Sequence, residues 1–220
     1  MSRESAQLNK DKKLWERKFV VSNYDDDALQ KLKYQHIVTK TISEIMSSDI
    51  IVEVGCGTGL ISFEAAKNAK EVLATDISSE MIEQCKSKQV STNVNNITFS
   101  KEDSYSLSFE DSTADKLICC NALHVMDDPS KALGEMKRVL KSDGLLIIPT
   151  YCHKEGKSIS SRLFRTAIRF ASFIGVIPSL HIWSKEDLIN VIESAGFRIK
   201  DSERIDNAKM FCLYVSAIKQ

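Results

Sequence analysis

Along the chain, short apolar runs alternate with longer stretches in which apolar residues recur every three or four positions. The runs Ile50–Val54, Glu71–Thr75, Ile97–Ser100, Lys116–Cys120 and Leu145–Pro149 are bounded by turn residues and read as strands. Their continuous apolar character fits parallel strands covered on both faces. The helical stretches between them are Leu60–Ala69, Ser79–Lys88 and Pro129–Leu140, the last with Asp128 as N-cap, Pro129 at the first position and Leu133, Met136 and Leu140 on one face. Ahead of the first strand, Leu29–Met46 carries Val38, Ile42, Ile45 and Met46 at helical spacing and is expected to pack on the sheet.

The C-terminal pattern differs. Ser184, with Asp187 three positions later, opens a helix that Gly196 stops. Phe197–Arg204 and Lys209–Ile218 then read as strands joined only by Ile205–Ala208, a link too short for a parallel crossover, so they must be antiparallel neighbours. The pattern as a whole predicts an α/β protein with a mostly parallel sheet and one antiparallel strand near its edge.

Length and charge narrow the picture. A chain of 220 residues without repeats or a Pro/Gly/Ser-rich linker is expected to form one domain. Lysine plus arginine equals aspartate plus glutamate at 30 each, so no positive field favours nucleic acid. The N-terminal residues lack the apolar core of a secretory signal, and no uninterrupted apolar segment approaches the roughly 18 residues of a spanning helix, so a cytoplasmic protein without a transmembrane segment is expected. The six cysteines form no CxxC and no zinc-like pairing with histidine, and are expected as reduced core residues with no metal site.

Three of only eight glycines fall at alternate positions in Gly55-Cys56-Gly57-Thr58-Gly59, where the first strand runs into a helix. Bare backbone at the positive end of a helix suits a nucleotide-like ligand. The dinucleotide fingerprint GxGxxG is excluded because its third glycine would fall at Leu60. The stretch VEVGCGTG instead resembles motif I of the class I S-adenosylmethionine-dependent methyltransferases, and further residues from Leu29 to Ile218 follow the same pattern.

The resemblance implies a seven-stranded sheet in the order 3-2-1-4-5-7-6 with the seventh strand antiparallel, flanked by helices. It also implies a cofactor site for S-adenosylmethionine, with S-adenosylhomocysteine as product. Gly55, Cys56, Gly57 and Gly59 would form the loop, and Glu53 would contact the charged methionine end, often through water. Asp76 would hold both ribose hydroxyls, as a carboxylate accepting two hydrogen bonds, with Ile77 against the adenine. Asp103 and Ser104 would read the adenine edge, Asn121 would stand beside the methionine part, and Tyr24, in an aromatic leader like that of quinone-biosynthesis enzymes, would close over the cofactor.

A methyl group on a sulfonium is already activated, so alignment and water exclusion carry most of the catalysis. If the nucleophile is a hydroxyl, His124, three residues past Asn121, is the best-placed base, with a packing or substrate-lining role as its alternative. The CNALH sequence after the fourth strand lacks the Asn/Asp-Pro-Pro-aromatic loop of nucleic-acid and glutamine methyltransferases, which points to a small-molecule acceptor. A methyltransferase acting on RNA or protein, or a non-catalytic cofactor-binding subunit, stands as the alternative. Residues 1–28 are expected to form an N-terminal helical cover and 154–179 an inserted lid, whose arginine-lined amphipathic stretch 158–174 could instead touch a membrane surface or a second copy. A monomer or homodimer is expected.

Overall fold

The computed structural model describes residues 32–153, 180–205 and 210–220. In chain order the elements are α1 (Leu32–Ser43), β1 (Ile50–Val54), α2 (Leu60–Ala66), β2 (Glu71–Asp76), α3 (Ser79–Thr92), β3 (Ile97–Lys101), β4 (Ala114–Ile118), a 3-10 turn (Leu123–Val125), α4 (Pro129–Val139), β5 (Leu140–His153), α5 (Lys185–Ser194), β6 (Phe197–Arg204) and β7 (Met210–Lys219). The seven strands form one sheet ordered β3-β2-β1-β4-β5-β7-β6. Neighbours from β3 to β5 run parallel, and β7 runs antiparallel to both β5 and β6, which is the architecture the sequence resemblance implies.

Alternation along each strand divides the core between the two faces. Val52, Val54, Leu117, Leu146 and Ile148 point to a layer closed by Leu133 and Met136 of α4 and Leu188 and Ile192 of α5. Ile51, Val72, Ala74 and Ile147 point the other way, against Ile61 and Phe63 of α2 and Ile82 and Cys85 of α3. Each large side chain buried in these layers stabilises the fold by roughly 1.5–3 kcal/mol. Cys119 and Cys120, adjacent in sequence, join opposite layers, and all six thiols are free.

Local chemistry explains the helix ends. Asp128 accepts the Lys131 N–H at the start of α4, and Ser184 and Asp187 form the reciprocal capping box that opens α5. α1 lies across the outer strands, where Lys40 pairs with Asp201 at 2.7 Å and with Glu203 of β6.

Several boundaries differ from the sequence reading: α2 ends already at Ala66 and α3 runs on to Thr92, and three others have a clear structural reason. β4 starts two residues earlier, at Ala114, and ends at Ile118, because Cys119 and Cys120 belong to the connection that turns toward the cleft. β5 is counted from Leu140, which pairs with Ala114 across a bulge; Asp143, at φ 58°, marks the turn expected before Leu145. Of the expected packing residues Val38, Ile42 and Ile45 do lie against the core, but Met46 does not: the helix ends at Ser43 and Met46 is 61% exposed, while Ile37, not expected, is buried at 2%. The proposed N-terminal cover 1–28 with Tyr24, the segment 154–179 and the link 206–209 lie outside the described residues.

Candidate active site

At the C-terminal ends of β1, β2, β3 and β4 the chain leaves an open cleft of about 1000 Å³, counting its mouth. Such a cleft is where open parallel sheets bind ligands. The glycine loop forms its floor. The Gly55 and Cys56 N–H groups both donate to the Thr75 carbonyl, at 2.8 and 2.9 Å, which fixes the loop to β2. At Gly55, φ is +76° and a Cβ would come 2.5 Å from the Ala122 Cβ, so close approach forbids any side chain. At Gly57, φ is +54° but a Cβ would meet nothing within 4 Å, because that position faces open space.

Asp76, the last residue of β2, is the best-held polar group in the cleft. One carboxylate oxygen accepts the Gly57 N–H at 2.9 Å and the other accepts the Ser78 N–H at 2.9 Å. Each oxygen keeps lone-pair capacity after these bonds, and Asp76 lines the cleft. Burial raises its pKa above the ordinary carboxylate value, against the backbone N–H groups of Ser78, Gly57 and Ile77 that favour the charge.

Ile77 and Met81 contribute apolar wall beside Asp76. Across from them stand Asp103 and Ser104, after β3; one Asp103 oxygen accepts the Tyr105 N–H at 3.0 Å, which shapes the turn. Asn121 closes the fourth side in the left-handed region at φ 50°, its N–H donating to the Pro149 carbonyl at 2.8 Å. Its Oδ1 is buried and has no hydrogen-bond partner among the described residues, a costly state that a ligand donor would relieve.

Glu53, Cys56 and Gly59 do not line the cleft; they sit behind it. Glu53 is buried on β1 and accepts a hydrogen bond from the Ser62 hydroxyl of α2. Burial pushes its pKa up to about 8, the Ser62 bond opposing and the Asp76 charge adding to the rise. Cys56 is buried beneath the loop, and Gly59 packs against Phe63 and Cys85 at the start of α2.

His124 stands in the 3-10 turn, set back from the cleft lining that its neighbours Ala122 and Val125 provide. Its Nδ1 lies 2.9 Å from the Thr150 hydroxyl. Burial, and then the nearby His181, lower its pKa to about 4. Sequence reasoning missed Met81, Tyr105 and Met126 in the lining. Met81 and Tyr105 stand within a few residues of Asp76 and Asp103, so adjacency to those acids is the signal that could have found them.

Residues 52–148 match the family of the methyltransferase domain. Over 165 residues the chain is 26% identical to the ubiquinone/menaquinone biosynthesis C-methyltransferase UbiE of Zymomonas mobilis, an overlap of 75% of this chain and 64% of that one. The curated relatives are matched over between 31% and 64% of their own length. Among solved structures, the YcgJ protein of Bacillus subtilis is similar with a TM-score of 0.69 at 18% identity, over 84% of this chain and 99% of that one. The [4+2]-cyclase SpnF is similar with a TM-score of 0.70 at 20% identity, over 83% and 79%. At such identities the solved structures speak for the fold, while the sequence match over the glycine loop and the four strands around it speaks for the family. Residues 52–148, which hold the glycine loop and the strands around it, are thus similar in sequence to methyltransferase domains, and the chain shares the fold of the solved structures over most of its length.

Proposed function

We propose that the protein transfers the methyl group of S-adenosylmethionine to a small-molecule acceptor and releases S-adenosylhomocysteine. The observation that carries this reading is the Asp76 carboxylate, clamped by the Gly57 and Ser78 N–H groups with its remaining lone pairs available in the cleft. A rigid acceptor pair suits the two adjacent hydroxyls of a ribose. In this reading Gly55 and Gly57 admit the methionine portion, Ile77 and Met81 lie against the adenine, and Asp103 and Ser104 take its edge. The unpartnered Asn121 oxygen receives the ammonium of the amino-acid end. Glu53 acts from behind the loop, through water.

Methyl transfer breaks the sulfonium–carbon bond, forms a bond from the acceptor to the same carbon and sheds a proton from the acceptor. The fold has to hold the two in line and keep water out. An apolar, aromatic acceptor fits Tyr105, Val125 and Met126 on the wall, and UbiE, by its name, methylates carbon in ubiquinone and menaquinone biosynthesis. We assign the acceptor side to the region next to the 3-10 turn, with segments 1–28 and 154–179 as its covers.

Calorimetric titration with S-adenosylmethionine tests the cofactor half, using wild type and Asp76→Ala. Micromolar binding weakened in the variant supports it; absence of binding by a folded wild type overturns it. Incorporation of labelled methyl into a panel of hydroquinones, phenols and thiols then tests the acceptor half. Because SpnF carries this fold and is named a cyclase, cofactor binding without methyl incorporation would move the assignment from methyl transfer to another reaction.

A further inference from the structure

His124 is held more firmly than a loop histidine needs to be. Its carbonyl accepts the His181 N–H at 2.7 Å, its ring meets the edge of Tyr151 at 6.3 Å between centroids and 78° between planes, and its Nδ1 is 2.9 Å from the Thr150 Oγ1. His181 is itself stacked on Trp183 at 5.3 Å. Two elements, the end of β5 and the segment leading into α5, therefore fix one imidazole between cleft-lining Ala122 and Val125.

The Thr150 hydroxyl decides which nitrogen carries the proton. Thr150 is 0% exposed, and among the described residues its hydroxyl has His124 Nδ1 as its single side-chain partner. If Nδ1–H donated to Thr150, the threonine proton would be buried with no acceptor, at a cost of about 1–3 kcal/mol. If Thr150 donates to the Nδ1 lone pair, every polar atom of the pair is satisfied. A neutral imidazole then carries its proton on Nε2. Neutrality follows from the environment, since burial and His181 hold the ring's pKa down to about 4, and among the described residues Tyr151 and His181 are the titratable groups that face it.

We infer that Thr150 positions His124 as the Nε2–H tautomer, so that the Nδ1 lone pair is committed to the threonine and the imidazole does not serve as the base of methyl transfer. The exclusion of the base rests on the methyl-transfer reading; the tautomer does not. This replaces the general base expected from sequence: a lone pair already committed to Thr150 is not available to take a proton.

Long-range proton–nitrogen correlation on the full chain labelled with nitrogen-15 in histidine tests it, with His124→Gln to identify the signals. Wild type should show His124 with Nε2 protonated and Nδ1 bare from about pH 5.5 to 8.5. Thr150→Val should shift the ring to a mixture of tautomers, and Thr150→Ser, which restores the hydroxyl, should return it. A protonated Nδ1 in wild type, or a titration midpoint near the ordinary histidine value, overturns the inference. The measurement uses neither cofactor nor acceptor, so its failure and a failure to bind S-adenosylmethionine are separate results.

Discussion

The two ends of the parallel strands bury carboxylates in opposite ways. At the N-terminal end Asp49, just before β1, is buried against the equally buried Lys116 of β4, and its carboxylate also accepts the Met46 N–H at 2.6 Å. Nearby, Asp115 accepts the Ile50 N–H at 2.9 Å and pairs with Lys141 at 2.8 Å; burial works against its charge, yet those partners hold its carboxyl below the usual range. At the C-terminal end Glu53 is buried and Asp76 half-buried, with hydroxyl and amide partners and, among the described residues, no ion pair, and both are pushed up. A buried charge matched by protein cations holds a fold together. Where no protein cation matches it, a buried carboxyl holds its proton more tightly, as Glu53 does, or keeps oxygens available for a ligand, as Asp76 does in the cleft.

That contrast is broken most severely at the structural end. Lys116→Ala leaves Asp49 buried without its ion-pair partner and should cost about 3–5 kcal/mol in urea unfolding, whereas replacing both residues together with apolar ones should cost far less. The dissociation constant for S-adenosylmethionine of the folded variant should stay close to wild type, since the pair lies at the far end of the sheet from the cleft. A large change in affinity with little loss of stability would invert the comparison.

At the ligand end the expected pattern is reversed. Asp76→Ala should weaken cofactor binding by roughly 1–3 kcal/mol, about 5- to 150-fold by calorimetry, and leave thermal stability near or above wild type. Gly55→Ala and Gly57→Ala sharpen the same division within one loop. Both carry the left-handed penalty of about 1–2 kcal/mol, but only at Gly55 does the new methyl also meet Ala122 at 2.5 Å. Gly55→Ala should therefore be the less stable in denaturant, and Gly57→Ala should lose affinity out of proportion to its stability.

The last effect is a pH slope. Glu53 gives up its proton near 4.5 when unfolded and near 8 when folded, so between those values the folded state binds more protons and stability falls as pH rises. Glu53→Gln keeps a partner for Ser62 without the charge. Its Tm should exceed that of wild type by a few degrees above about pH 8, with the difference shrinking as the pH falls toward 4.5. Asp76, shifted in the same direction, leaves part of the slope in the variant. A wild-type Tm independent of pH in this window would show that Glu53 is ionised in the folded protein.

Local signals carried much of the fold. The run Ile50–Val54 was bounded correctly, although it contains Glu53, because the polar Ser47-Ser48-Asp49 and the glycine turn at Gly55 close it on either side, and the Ser184–Asp187 box and the Asp128-Pro129 start set helix ends by their own hydrogen bonds. Bounds slipped where pairing with another strand decides them, as at Leu140, which counts as strand because Ala114 lies beside it. For the site, the resemblance to the methyltransferases implied Asp76, Asp103, Ser104 and Asn121, and the structure brings them around one cleft.

What the chain by itself determined is therefore what depends on neighbours a few residues away: strands, caps, the glycine turn and the order in which polar residues follow strands. The tertiary structure decided everything that depends on which distant groups meet. It set Lys116 on Asp49 and left Glu53 without such a partner, and it brought Thr150 of β5 to His124, which lies 26 residues before it. Ionisation and tautomer follow from desolvation and hydrogen-bond partners, and those exist only once the sheet has closed over them.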